Sequence, residues 1–127
     1  MTTIPDLLDR DRFANHLGVR LVEHSDDHVV VELEVGSNHL EDGGHVSAGA
    51  LFSLADCAMS LISNAPGTAV AIATHFTMQS GGSAGSVVRA EARKRLPSVS
   101  PAVTWEAVVS SGGAVLAAFT GTTLRRG

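Results

Sequence analysis

His45-Val46-Ser47-Ala48-Gly49-Ala50-Leu51-Phe52-Ser53-Leu54-Ala55-Asp56-Cys57-Ala58-Met59 is the stretch on which the reading of this chain turns. It predicts a helix that opens on Ser-Ala-Gly and carries one carboxylate, Asp56, among Ala, Leu and Met. An unpaired buried charge costs several kcal/mol or shifts its pKa, so Asp56 must be solvated, paired or used. On a helical projection Leu51, Leu54, Ala55, Ala58 and Ile62 fall in one stripe at i, i+3, i+4 spacing. Asp56 points away from that stripe, on the side shared with Gly49, Phe52 and Ser60. That outer side is itself mostly small or apolar, so the helix is expected to be covered twice, by a sheet on one side and a partner on the other.

Outward from the helix, the period changes. Val29, Val31, Leu33 and Val35 alternate with Val30, Glu32 and Glu34, the pattern of a half-buried strand, and a turn at Ser25-Asp26-Asp27 predicts a hairpin between Val19–Glu23 and Val29–Val35. Leu7, Leu8 and Phe13 among Asp and Arg, with Pro5 early and Gly18 just beyond, predict one short amphipathic helix from Ile4 to His16, acting as a peripheral lid. Asn64-Ala65-Pro66-Gly67 is a stop signal. After it come four predicted strands, Ala69–Gln79, Gly85–Leu96, Ala102–Ser110 and Ala114–Arg125, separated by Ser80-Gly81-Gly82-Ser83, Pro97-Ser98-Val99-Ser100-Pro101 and Ser111-Gly112-Gly113. Helices segregated from consecutive, turn-linked strands indicate an α+β fold with an antiparallel sheet wrapped around the long helix.

The chain has 127 residues, in the range of a single domain spanning 1–127 that buries a core without staples. Hydrophobic residues make up 44% and charged residues 17%, which excludes a disordered chain. A mean hydropathy of +0.19 suggests apolar surface buried between subunits. The net charge of −4 is the wrong sign for a protein whose main partner is a nucleic-acid backbone. Cys57 is the only cysteine, so no intrachain disulfide is possible, in keeping with a reducing compartment. No stretch reaches the ~18 apolar residues of a membrane span and the start lacks a signal-peptide pattern, so a soluble cytoplasmic protein is expected.

With these elements in place, the chain resembles a known family. Asn38-His39, a Gly-bearing loop, Ala-Gly-Ala-Leu-Phe-Ser-Leu-Ala-Asp-x-Ala from Ala48 to Ala58, a Pro-Gly stop, and four strands closing on Phe119-Thr120-Gly121-Thr122 look like a hotdog-fold acyl-CoA thioesterase of the phenylacetic-acid-degradation type. The likeness spans roughly Phe13 to Arg125. It implies a homodimer whose two sheets join, often paired again into a homotetramer, with active sites at the subunit interface. Asp56 then matches the catalytic acid. Ala48 and Gly49 match a Gly-Gly pair whose amides polarise the thioester carbonyl. Ser47 stands where relatives carry a histidine, with His45 two residues earlier as a substitute, and Asn38 resembles an asparagine that precedes the loop. Relatives read Asn-Phe-Leu-x-Pro in the strand after the helix, whereas this chain reads His75-Phe76-Thr77-Met78-Gln79-Ser80. Residues on that strand approach the neighbouring subunit's acid, which makes Thr74, His75 and Thr77 candidates.

The residues themselves carry the same chemistry. Thioester hydrolysis needs a nucleophile or an activated water, and donors aimed at the oxyanion. A helix N-terminus has free amides and about half a positive charge, and Ala48 and Gly49 leave it open to a substrate. Asp56, two turns on, is the candidate nucleophile or general base. The competing readings are an interface carboxylate for Asp56, an ordinary N-cap for Ser47 and close packing for Gly49. Arg89, Arg93, Lys94 and Arg95 form a positive cluster that is either a coenzyme A phosphate site or a solvated, edge-protecting face. His39 and His45 are expected to be solvated loop histidines, Cys57 a small buried hydrophobe, and Trp105 core. No metal-ligand spacing is present, and no cofactor is expected apart from the coenzyme A of the substrate. Alternative functions are an enoyl-CoA hydratase or dehydratase using His45 or His75 with Asp56, and a non-catalytic acyl-CoA or small-ligand binding module.

Overall fold

The computed structural model describes residues 2–79 and 86–126. In chain order the elements are α1 (Ile4–Arg10), α2 (Arg12–Leu17), β1 (Arg20–His24), β2 (His28–Glu34), a 3-10 turn (Ser37–His39), α3 (Ala48–Asn64), β3 (Ala69–Met78), β4 (Val87–Lys94), β5 (Ala102–Ser111) and β6 (Ala114–Arg125). The six strands form one sheet in the order β1-β2-β4-β5-β6-β3, antiparallel throughout. This is the expected α+β architecture, the hotdog fold, with α3 lying along the sheet. The turn Ser80-Gly81-Gly82-Ser83 and the expected strand start at Gly85 lie outside the described residues. Among the described residues no helix is long and apolar enough to cross a membrane.

The predicted stripe of α3 is its buried face: Leu51, Leu54, Ala55 and Ala58 are completely shielded. The sheet meets it with side chains alternating inward, Val88, Ala90 and Ala92 on β4 and Ala107 and Val109 on β5. Alanines at the centre keep the sheet low, so the helix can approach it closely. Burying each leucine contributes about 1.5–3 kcal/mol. The closest approach is at Gly121 on β6, where a Cβ would collide with the Met59 sulfur and press on the Phe119 ring.

The stop after α3 is built by its own last residue and by one distant side chain. Asn64 donates to the Ser60 carbonyl (2.9 Å) and accepts from the Ala69 amide (2.9 Å), turning the chain into β3. Arg125, at the end of β6, donates through Nη1 to the carbonyls of Ser63 (2.9 Å) and Gly67 (2.5 Å). A cation there also complements the negative end of the α3 dipole.

The N-terminal segment departs from the single helix expected over Ile4–His16. Asp11 adopts an extended backbone (ψ 97°), ends α1, and caps α2 by accepting from the Ala14 amide at 3.0 Å. A short acid is a stronger N-cap than a helix interior residue, and here that preference overrides the apolar period. Asn15 braces the break, donating to the carbonyls of Leu8 (2.8 Å) and Asp11 (2.7 Å). α2 ends at Gly18 in the left-handed region (φ 89°), a conformation that favours glycine. Both helices pack on α3 through buried Ile4, Leu8 and Ala14, so the segment is part of the core rather than a loose lid.

β3 closes the sheet at one edge. Among the described residues it pairs with β6 alone, and most of its ten residues are exposed, including Ile72 and Met78.

Replacing Gly121 with Ala is expected to destabilise the fold by about 1–3 kcal/mol through overpacking against Met59. Met59→Ala alone should cost about 2–5 kcal/mol. Chemical denaturation of both variants and of the double variant checks the contact: the double variant should cost clearly less than the sum.

Candidate active site

The first turn of α3 is exposed at Ala48 and Gly49. Ser47 (φ −59°, ψ 136°) caps the helix, its Oγ accepting from the Gly49 amide at 3.1 Å. The Ala48 amide has no hydrogen-bond partner among the described residues. The loop before it is held by the Leu40–Val46 bridge, by the Glu41 amide donating to the His45 carbonyl (2.8 Å), and by the Ser47 amide donating to the His39 carbonyl (2.8 Å). Asn38 and His45 are exposed on this loop.

His39 corrects the expectation of a solvated loop histidine. It is buried; its Nδ1 accepts from the Gly36 amide (2.9 Å) and its Nε2 lies 2.8 Å from the Leu17 carbonyl, to which it donates. That pair of contacts fits the neutral ring with hydrogen on Nε2. His39 therefore ties the loop feeding α3 to the end of α2. The partner lies 22 residues away in sequence, so no local pattern announces it.

On α3, Phe52 lies one turn before Asp56 on the outer side. Its ring turns to the β3–β6 flank, 5.6 Å from Phe76 and 5.5 Å from Phe119, edge to face in both cases. Asp56 itself is half-buried at a cleft of ≈ 80 Å³ between α2 and α3. From α2 come Asp11, Phe13, Ala14 and Leu17; from α3 come Ser53, Asp56, Cys57 and Ser60. Burial, and second the nearby Asp11 carboxylate, hold the Asp56 pKa above the ordinary aspartate value. No hydrogen bond or ion pair satisfies Asp56 among the described residues. Burial pushes the neighbouring Cys57 thiol up to about 12, so it stays protonated and behaves as a small apolar group.

The remaining candidates are distributed by strand alternation. Phe76 faces the helix through Phe52, which places Thr74 on that face and His75 and Thr77 on the opposite one. Arg89 and Arg93 stand on that opposite face too, since Val88, Ala90 and Ala92 face inward. Arg89 pairs with Glu23 (3.8 Å) and Arg93 with Glu91 (2.6 Å), while Arg95 is exposed past the end of β4. Within one chain the sheet thus separates the arginines from Asp56. No histidine lines the Asp56 cleft. Along α3, Ala48 and Asp56 are eight residues apart, about 12 Å at the helical rise.

Solved structures resemble this chain over nearly its full length. A mutant of the phenylacetic acid degradation protein PaaI from Thermus thermophilus is 34% identical, covering 91% of this chain and 100% of that one, with a TM-score of 0.87. The E. coli PaaI protein from the phenylacetic acid degradation operon is 27% identical, covering 95% of this chain and 88% of that one, with a TM-score of 0.90. A hypothetical thioesterase protein with coenzyme A from Streptococcus pneumoniae shares the fold at 20% identity, covering 86% of each chain, with a TM-score of 0.80. No protein-family model and no curated protein sequence matches the chain. The identity across the whole of the Thermus protein, together with the sheet order and the long helix, shows that this chain belongs to the PaaI-like family of hotdog-fold thioesterases.

Proposed function

We propose that the protein hydrolyses the thioester of an acyl-CoA, in a site completed by a second copy of the chain. The observation that carries this reading is the spacing on α3. An unsatisfied carboxylate and a free first-turn amide occupy one helix about 12 Å apart, whereas groups acting on one carbonyl must lie about 3–3.5 Å from the reacting atoms. Two copies related by a twofold axis would set the amide of one α3 beside the acid of the other, twice. The exposed, one-sided β3 edge supports pairing of two sheets into such a dimer. The relative that carries coenzyme A on the same fold supports the substrate class.

The steps follow from the groups present. With Ser47 occupying the Gly49 amide, the Ala48 amide is the donor left for the carbonyl oxygen, where it would stabilise the developing oxyanion together with the helix dipole. Asp56 would act in one of two ways. It attacks the carbonyl carbon, expels the coenzyme A thiolate and leaves an anhydride that water cleaves, or it takes a proton from a water that attacks instead. Either route yields a carboxylic acid and free coenzyme A. Burial, with the Asp11 carboxylate nearby, raises Asp56 above the ordinary aspartate value, which strengthens it as a base. Thr74, on the helix face of β3, would be the strand residue to meet the partner's acid.

Asp56→Asn is expected to lower acyl-CoA hydrolysis by about 10²–10⁴-fold. It should not lower stability. An aspartate whose folded pKa lies above its unfolded value contributes stability at low pH that is lost as pH rises through the folded pKa. The variant should therefore melt at or above the wild-type temperature at pH 7, with the difference shrinking toward pH 4. Ala48→Pro removes one amide at a helix position that accepts proline, behind a residue already in extended backbone, and should cost about 10²–10³-fold in kcat with the fold intact. Mixing the two inactive variants as unfolded chains and refolding them together is the decisive test. Heterodimers hold one site with both groups native, so about one quarter of wild-type activity should return. No recovery, or full activity in a monomer by sedimentation, would overturn the two-chain site.

A further inference from the structure

We propose that the cavity at the C-terminal end of α3 binds a small monocarboxylic acid with an apolar body. The last turns of α3, the β1–β2 turn, the start of α1 and the sheet enclose a space of ≈ 460 Å³, within the range of about 300–1,000 Å³ typical of small-molecule sites. It shares no lining residue with the Asp56 cleft, and β3, the edge on which the dimer is proposed, contributes none.

The lining is of two kinds. The apolar part is Ile4, Ile62 and Trp105, all buried, with Ala65 and Pro66 beside them. The Trp105 Nε1 already donates to the Thr123 hydroxyl at 2.9 Å, so the indole carries no unmet polar group. The charged part sets Lys94, Arg125 and His24 against one acid, Asp26. Among the described residues neither Lys94 nor Asp26 has an ion-pair partner, and the Lys94 ammonium stands 5.8 Å from the centre of the Trp105 ring. Arg125 commits Nη1 to the Ser63 and Gly67 carbonyls. Its Nε and Nη2, the edge of a guanidinium that takes both oxygens of one carboxylate, are left without a partner among the described residues. An arginine held by its other nitrogen and a free ammonium, next to buried apolar side chains, select one anionic head on an apolar body. Asp26 disfavours a second anionic group.

Trp105 is the only tryptophan of the chain, so its emission reports the cavity directly. The protein is titrated with hexanoate, hexan-1-ol, hexylammonium and inorganic phosphate, and calorimetry gives the affinities of the variants. Hexanoate is expected to shift Trp105 emission saturably and to bind about 10-fold or more tighter than hexan-1-ol, because hydrogen bonds to charged groups are the stronger. Hexylammonium and phosphate should not saturate. Lys94→Gln, at an exposed side chain, should weaken hexanoate about 5–10-fold and leave hexan-1-ol unchanged. Asp26→Asn should tighten hexanoate about 2–5-fold, a gain that a damaged fold would not produce. Asp56→Asn should leave the hexanoate affinity as it is. Equal binding of hexanoate and hexan-1-ol, phosphate binding as tight as that of hexanoate, or no saturation below about 10 mM overturns the site. A hexanoate affinity unmoved by Lys94→Gln and Asp26→Asn overturns it as well, and loss of binding in Asp56→Asn places the acid in the α2–α3 cleft instead.

Discussion

The burial of α3 against the concave face of the sheet is the constraint on which the rest of the structure depends. The inward stripe packs on alanines and valines of β4 and β5. One flank is closed by the Phe52–Phe76–Phe119 cluster and the other by α1 and α2. What stays open is a narrow strip carrying Gly49, Ser53, Asp56 and Ser60. A carboxylate on that strip is neither in bulk water nor paired, and the surrounding apolar surface raises its pKa. The electrostatic condition needed for chemistry is thus a by-product of how the helix is enclosed.

Because both reactive features sit on one rigid helix, their separation is fixed by helical geometry. No side-chain rotation brings the first-turn amide to the acid. A reaction that used both groups on one carbonyl would have to draw them from two copies of the helix. The Ser47 cap sharpens the arrangement. It satisfies one of the two leading amides and leaves the other free, so a residue that departs from the family pattern still defines which donor remains.

Much of this was legible in the residues. Alternation in Val29–Val35 and the Gly-, Ser- and Pro-bearing turns between the later strands marked the sheet to within a few positions, although Val30, on the side that alternation assigns to solvent, is fully buried with Val29 and Val31. The stripe from Leu51 to Ile62 marked the buried face of α3, and a lone acid in an apolar helix singled out the half-buried carboxylate at the α2–α3 cleft. What escaped was set by contacts across long sequence separations. The break at Asp11 is a contest between capping and periodicity that Asn15 decides. His39 is fixed by Leu17, and the end of α3 by Arg125, some sixty residues downstream. The projection placed Phe52 on the side of Asp56 but could not show that its ring turns toward aromatic partners on β3 and β6. The involvement of α2 in the cleft was invisible for the same reason. Strand alternation did carry information about Thr74, His75 and Thr77 that spacing alone does not exploit: neighbours in sequence serve opposite faces.

The sheet order holds one more consequence. β3 is the sixth strand in space but the third in sequence, and its sole neighbour, β6, is the last element of the chain. During synthesis β3 leaves the ribosome with nothing to pair against until some forty residues later, when β6 arrives and Arg125 seals the end of the helix. The β3 edge is therefore completed only after β4 and β5 have been made, and a chain without β6 lacks the strand it pairs with.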